Sequence, residues 1–128
     1  MLRVITGTEK QIDYANDILR RPIYCVMGWI AQAEETVTMD YKGAKEDREH
    51  LTVLVPVLHD AISIYEEALC GAKEQLIARY VIDNYERNNM FWRLMYSCIG
   101  AAMKKAGIEC ANPALYMTTD KRYWPKKS

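Results

Sequence analysis

Residues 45–69, KEDREHLTVLVPVLHDAISIYEEAL, decide the fold class. Within them Leu51, Val55, Leu58, Ile62, Tyr65 and Leu69 alternate spacings of four and three, the seam of a packing helix. Pro56 dissents, because inside a helix it removes one backbone hydrogen bond and costs about 3 kcal/mol. The pattern therefore predicts a helix with a kink or a fresh start at Pro56. Leu51-Thr52-Val53-Leu54-Val55 also suits a strand, so a strand followed by a helix from Pro56 is the alternative. Gly71 reads as the stop.

Upstream, Thr6-Gly7-Thr8-Glu9 reads as a capping box, with Thr6 accepting from first-turn amides and Glu9 reaching back. Ile12, Ala15, Ile18 and Leu19 follow at helical spacing, and Arg20 and Arg21 suit the negative end of the helix dipole. Pro22 then stops this helix and starts another. The second helix runs from Ile23 to about Glu35, with Ile23, Val26, Met27, Ile30 and Ala31 as its apolar stripe. Gly28 costs it roughly 1 kcal/mol relative to Ala and allows a neighbouring helix to come close. Thr36 to Tyr41 alternates but has no partner strand, so it reads as a linker turning at Lys42-Gly43.

Downstream, Lys73 to Arg87 places Leu76, Ile77, Tyr80, Val81, Asn84 and Tyr85 on one face, with Arg79, Asp83 and Arg87 at four-residue steps on another. Asn88-Asn89 interrupts or bends the pattern. From Met90 to Ala106 the stripe is Trp92, Met95, Tyr96, Ile99 and Met103, and Lys104, Lys105 and Gly107 end it with late cations and a glycine. The reading is an all-α single domain of about five helices over residues 1–107, with an irregular basic-aromatic tail over 108–128.

A chain of 128 residues suits one domain. Lys+Arg and Asp+Glu both total 17, so the whole surface is neither a nucleic-acid grip nor an acidic DNA mimic. No apolar run is long enough to span a membrane, and the first residues lack the stretch of a signal peptide, so the expected location is the cytoplasm. Cys25, Cys70, Cys98 and Cys110 are scattered, as suits small buried residues in a reducing compartment, and no zinc-ligand spacing is present.

No motif supplies catalysis. His50 lies near Glu46 and Asp47, but a di-iron bundle needs two Glu-x-x-His units, so a solvated helix start is the plainer reading. His59 beside Asp60 has no nucleophile at a recognisable spacing. Gly7 and Thr8 lack the further glycine and the Lys-Ser/Thr pair of a phosphate loop. No catalytic residue, metal or cofactor is assigned.

Binding is the better expectation. Nine tyrosines and three tryptophans stand against one phenylalanine, and such side chains serve contact surfaces as well as cores. Arg122, Tyr123, Trp124, Lys126 and Lys127 crowd cations beside aromatics, as a nucleic-acid backbone or an acidic partner would select. A solvated terminus is the alternative. Arg20, Arg21 and Tyr41 are the next partner-binding candidates. The apolar second helix and residues 90–103 further predict a homo-oligomer, most simply a twofold dimer.

Two segments carry a resemblance. Residues 6–18, TGTEKQIDYANDI, and residues 78–85, ARYVIDNY, are similar to two signatures of small bacteriophage and mobile-element proteins, mostly of Firmicutes. Those read approximately T-G-T/S-E-K-Q-I/V-x-W-A-E-x-I and A-K-x-W-I-D-N-R. This chain has Tyr14 and Val81 where Trp is usual, and Tyr85 where Arg is usual. The resemblance covers about a sixth of the chain and attaches no catalytic residue. It implies a binding protein aimed at a host protein or ribonucleoprotein complex, such as a CRISPR effector of antiviral defence. The alternatives are a helical oligomer that sequesters a nucleotide signal, a small accessory nucleic-acid-binding protein, and an enzyme with an unrecognised site.

Overall fold

The computed structural model describes residues 6–71 and 77–108, except for the side chains of residues 86–88. The described residues form four helices: α1 (Glu9–Val37), α2 (Ala44–Cys70), α3 (Ala78–Asn88) and α4 (Met90–Lys105). The all-α expectation holds. The count is four, not five, because the chain does not break at Pro22.

α1 starts at Thr8, whose hydroxyl accepts from the Gln11 amide (3.2 Å) while the Gln11 side chain accepts from the Thr8 amide (3.1 Å). A capping box is present, but Thr8 and Gln11 make it, not Thr6 and Glu9. Thr6 is engaged elsewhere: its carbonyl accepts from the Ala78 amide at 2.9 Å and so ties the chain before α1 to the start of α3. Gly7 makes this approach possible. Its φ is +141°, and a Cβ there would stand 2.9 Å from the Ala78 Cβ.

The helix then runs through Pro22, which is buried with Ala15, Ile18, Leu19, Ile23, Val26, Ile30 and Ala33. Pro22 has no N–H for the Ile18 carbonyl. At the next carbonyl, Leu19, the buried Tyr65 hydroxyl donates from α2 at 2.7 Å. Packing on both sides of the proline keeps the helix whole, so Arg20 and Arg21 lie mid-helix, far from the dipole's negative end. Met27 and Ala31, expected in the apolar stripe, are exposed.

Gly43, at φ 86°, opens α2, and Gly71 closes it. Pro56 lies inside α2 on an exposed face and does not end it, so the strand alternative for 51–55 is overturned. The buried line is Leu54, Val57, Leu58, Ala61, Tyr65 and Leu69, rotated slightly from the expected seam. Leu51, Val55 and Ile62 pack at its margin.

α3 begins at Ala78, not Lys73; residues 72–76 lie outside the described residues. Arg79 and Asp83 approach to 4.0 Å on its exposed side, and the Arg87 side chain lies outside the described residues. Asn89 alone separates α3 from α4. Its left-handed conformation (φ 53°, ψ 40°), which Asn tolerates better than most residues, makes a full interruption. α4 buries Phe91, Met95, Cys98, Ile99, Ala102 and Met103, while Tyr96 is exposed and Trp92 half-buried. It ends as expected at Gly107 (φ 77°). The Gly107 amide bonds the Lys104 carbonyl and the Ile108 amide bonds that of Met103, so Ile108 returns to the core.

α2 packs against α1 and α4, and α3 lies along α1. Among the described residues no helix is long and apolar enough to cross a membrane.

Candidate functional site

The tail candidates Arg122, Tyr123, Trp124, Lys126 and Lys127 lie outside the described residues, as does Cys110. The remaining three are separated. From Arg21 to the end of α1 is 16 residues, about 24 Å of helix, and Tyr41 lies beyond that end. Arg20 and Arg21 are therefore separated from Tyr41 by more than half the length of α1.

Tyr41 serves the loop between α1 and α2. Its hydroxyl donates to Asp47 Oδ2 at 2.6 Å, and Arg48 Nη1 donates to the Met39 carbonyl at 3.1 Å. Both bonds fasten the loop to the first turns of α2, although Tyr41 remains 40% exposed.

Among the described residues, Arg21 organises a structured polar surface. On α1, Tyr14, Asp17 and Arg21 follow at steps of three and four, which stacks them on one face. The Arg21 guanidinium donates twice to Asp17 Oδ2, at 2.9 and 2.7 Å, and once to the Tyr85 hydroxyl of α3, at 2.8 Å. It also lies over two rings, 5.9 Å from the centroid of Tyr14 and 5.2 Å from that of Tyr85. The Asp17 hydrogen bond, then the charge of Asp17 and the two phenols, hold Arg21 protonated more firmly than an ordinary arginine, against an opposing effect of burial. The result is an arginine held between two tyrosines, with Tyr14 39% exposed.

This arrangement was partly hidden in the sequence. The sequence singles out Arg21 but does not place Tyr14 and Tyr85 beside it. The spacing 14, 17, 21 was the available signal for one half, while Tyr85 comes from 64 residues away. The same surface joins the segments 6–18 and 78–85, which meet at Thr6–Ala78 and again through Arg21 at Tyr85.

Other chemistry-bearing groups stand apart. His59 is exposed on α2, and its carbonyl accepts from the Ser63 hydroxyl. Among the described residues no three His, Cys, Asp or Glu side chains gather to hold a metal ion. Burial pushes up the thiol pKa values of Cys25 and Cys98. Cys70 is exposed at the end of α2. No protein-family model, curated protein or solved structure matches the chain.

Proposed function

We propose that the chain is a non-enzymatic binding protein of a phage or mobile element, docking in the host cytoplasm on a protein or ribonucleoprotein complex of antiviral defence such as a CRISPR effector. The observation behind the binding reading is the Tyr14–Arg21–Tyr85 patch. Tyrosine and arginine contribute disproportionately to interfaces, and an arginine already held in place loses little freedom when a partner covers it. The link to phage and defence comes from the resemblance of residues 6–18 and 78–85; these carry Tyr14 and Tyr85, both at positions where this chain departs from the signatures, and Arg21 lies outside them. The tail cations Arg122, Lys126 and Lys127 would add attraction for an acidic or nucleic-acid surface.

The test mixes the purified chain with purified host nuclease complexes and reads both complex formation and nuclease activity. Tyr14→Ala should weaken the complex at least about tenfold while leaving the melting temperature within a degree or two of the parent. Unchanged affinity in Tyr14→Ala would move the docking surface off this patch. Binding of cyclic nucleotides, with no nuclease complex captured, would replace the reading with that of a nucleotide sponge.

A further inference from the structure

α1 carries a second seam, on the side that its core residues leave open. Arg20, Tyr24, Met27, Ala31 and Glu34 alternate spacings of four and three along it, the pattern by which two helices pack side by side. The core takes Leu19, Val26, Ile30 and Ala33 instead. At the centre of the seam Tyr24 and Met27 are 59% and 53% exposed, and Ala31 is exposed with them. Gly28 leaves a gap beside them, with nothing within 4 Å of the place its Cβ would occupy. The ends of the seam differ in sign, with Arg20 and Arg21 at one and Glu34 and Glu35 at the other.

We propose that this seam joins two copies of the chain through an antiparallel α1–α1 contact, with the twofold axis level with Met27 and Gly28. Charge selects the direction. The arginine pair and the glutamate pair each lie seven residues from the centre of the 27–28 step, which is about 10 Å of helix. Reversing one helix brings the arginines of each copy level with the glutamates of the other, whereas a parallel pair would set like beside like. Size selects the same register. Tyr24 comes level with Ala31 of the second copy, and Met27 with its Gly28, so each large side chain meets a small one. A surface complementary to itself about one point is what a twofold contact requires, and an unrelated partner would have no reason to impose it. The seam shares Arg21 with the Tyr14–Arg21–Tyr85 patch, but its tests change Arg20, Met27 and Glu35 while the patch's test changes Tyr14, so either reading can fail alone.

Sedimentation velocity of the full chain across the micromolar range should show a concentration-dependent monomer–dimer equilibrium. Met27→Glu sets two carboxylates at the axis and should raise the dissociation constant at least about tenfold, with helicity kept, and with the melting temperature kept at dilutions where the parent is monomeric, because Met27 is exposed. Arg20→Glu and Glu35→Arg should each weaken their own homodimer. Mixed in equal amounts they should recover parental affinity, since each then meets its complement. A chain that stays monomeric throughout the range overturns the proposal, as does a dimer indifferent to Met27→Glu. A mixture that fails to recover overturns the antiparallel register.

Discussion

The Tyr65 hydroxyl on α2 donates to the Leu19 carbonyl on α1 at 2.7 Å, inside the core and three residues before Pro22. The bond lies in the one turn of α1 where a proline interrupts the backbone ladder. Two helices are therefore joined by a side chain at the point where one of them is weakest, and Tyr65 itself is fully buried. A phenol in that position needs an acceptor, and the second lone pair of the Leu19 carbonyl supplies one, while the carbonyl that Pro22 leaves without its helical donor is that of Ile18.

Tyr65→Phe keeps the ring and removes the donor. The loss should be about 1 kcal/mol, the usual net worth of one such bond, read as a lower urea midpoint with an unchanged slope. Tyr65→Ala should cost about 3–5 kcal/mol, because it also empties the ring's volume. Equal losses in the two variants would mean that packing around the ring is unimportant.

Alkaline pH should expose the same burial. Burial, with a smaller effect from Cys98, pushes the Tyr65 phenol well above its ordinary value near 10, and burial pushes the Cys98 thiol up. Both groups keep their protons in the folded chain after the unfolded chain has begun to lose them. The unfolded state then binds fewer protons, so stability falls as pH rises. The contribution is intact below about pH 8.5, declines first with the thiol, and declines faster above about pH 10 with the phenol. Stability measured by urea titration from pH 7 to 11 checks this, and Tyr65→Phe should flatten the upper part of the decline.

The helices were legible where apolar spacing and stop signals agreed, as from Leu51 to Gly71 and from Met90 to Gly107. The prolines were misleading because their cost is local and what offsets it is not. Nothing near Pro22 announces Tyr65, which lies 46 residues beyond Leu19. Pro56 remains in α2 on an exposed face, while Leu54, Val57 and Leu58 beside it bury. The Arg21 patch was half legible for the same reason, since Tyr14 and Asp17 share its helix and Tyr85 does not. The assignment of the cap to Thr6 erred because Thr6 and Thr8 are equivalent in type and spacing to a following polar residue. Only the contact between Thr6 and Ala78 separates them.

Thr8→Ala should therefore cost on the order of 1 kcal/mol by removing the acceptor for the Gln11 amide. Thr6→Ala should cost little, since Thr6 contributes its backbone carbonyl to Ala78 and its side chain is exposed. Thermal unfolding of the two variants distinguishes them. A larger loss in Thr6→Ala would return the cap to the position that the sequence pattern suggested.

The join between the first turn and α3 gives the last prediction. Gly7→Ala meets two obstacles, a φ of +141° and a new Cβ 2.9 Å from that of Ala78. The first belongs to Gly7 alone, and the second is shared with Ala78. Gly7→Ala should cost about 1–3 kcal/mol through backbone strain, with the clash adding to it. Ala78→Gly alone should cost up to about 1 kcal/mol through the lower helix preference of glycine. In the double variant the clash disappears and the strain remains. The two losses should then sum to more than the double variant shows, by about 0.5 kcal/mol or more. Additive losses would mean that the Thr6-Gly7-Thr8 turn yields easily and does not seat firmly on α3. α1 and α3 would then be held by their core packing, with Ala78 and Val81 buried in the same cluster as Ala15 and Ile18, and by the Arg21–Tyr85 bond.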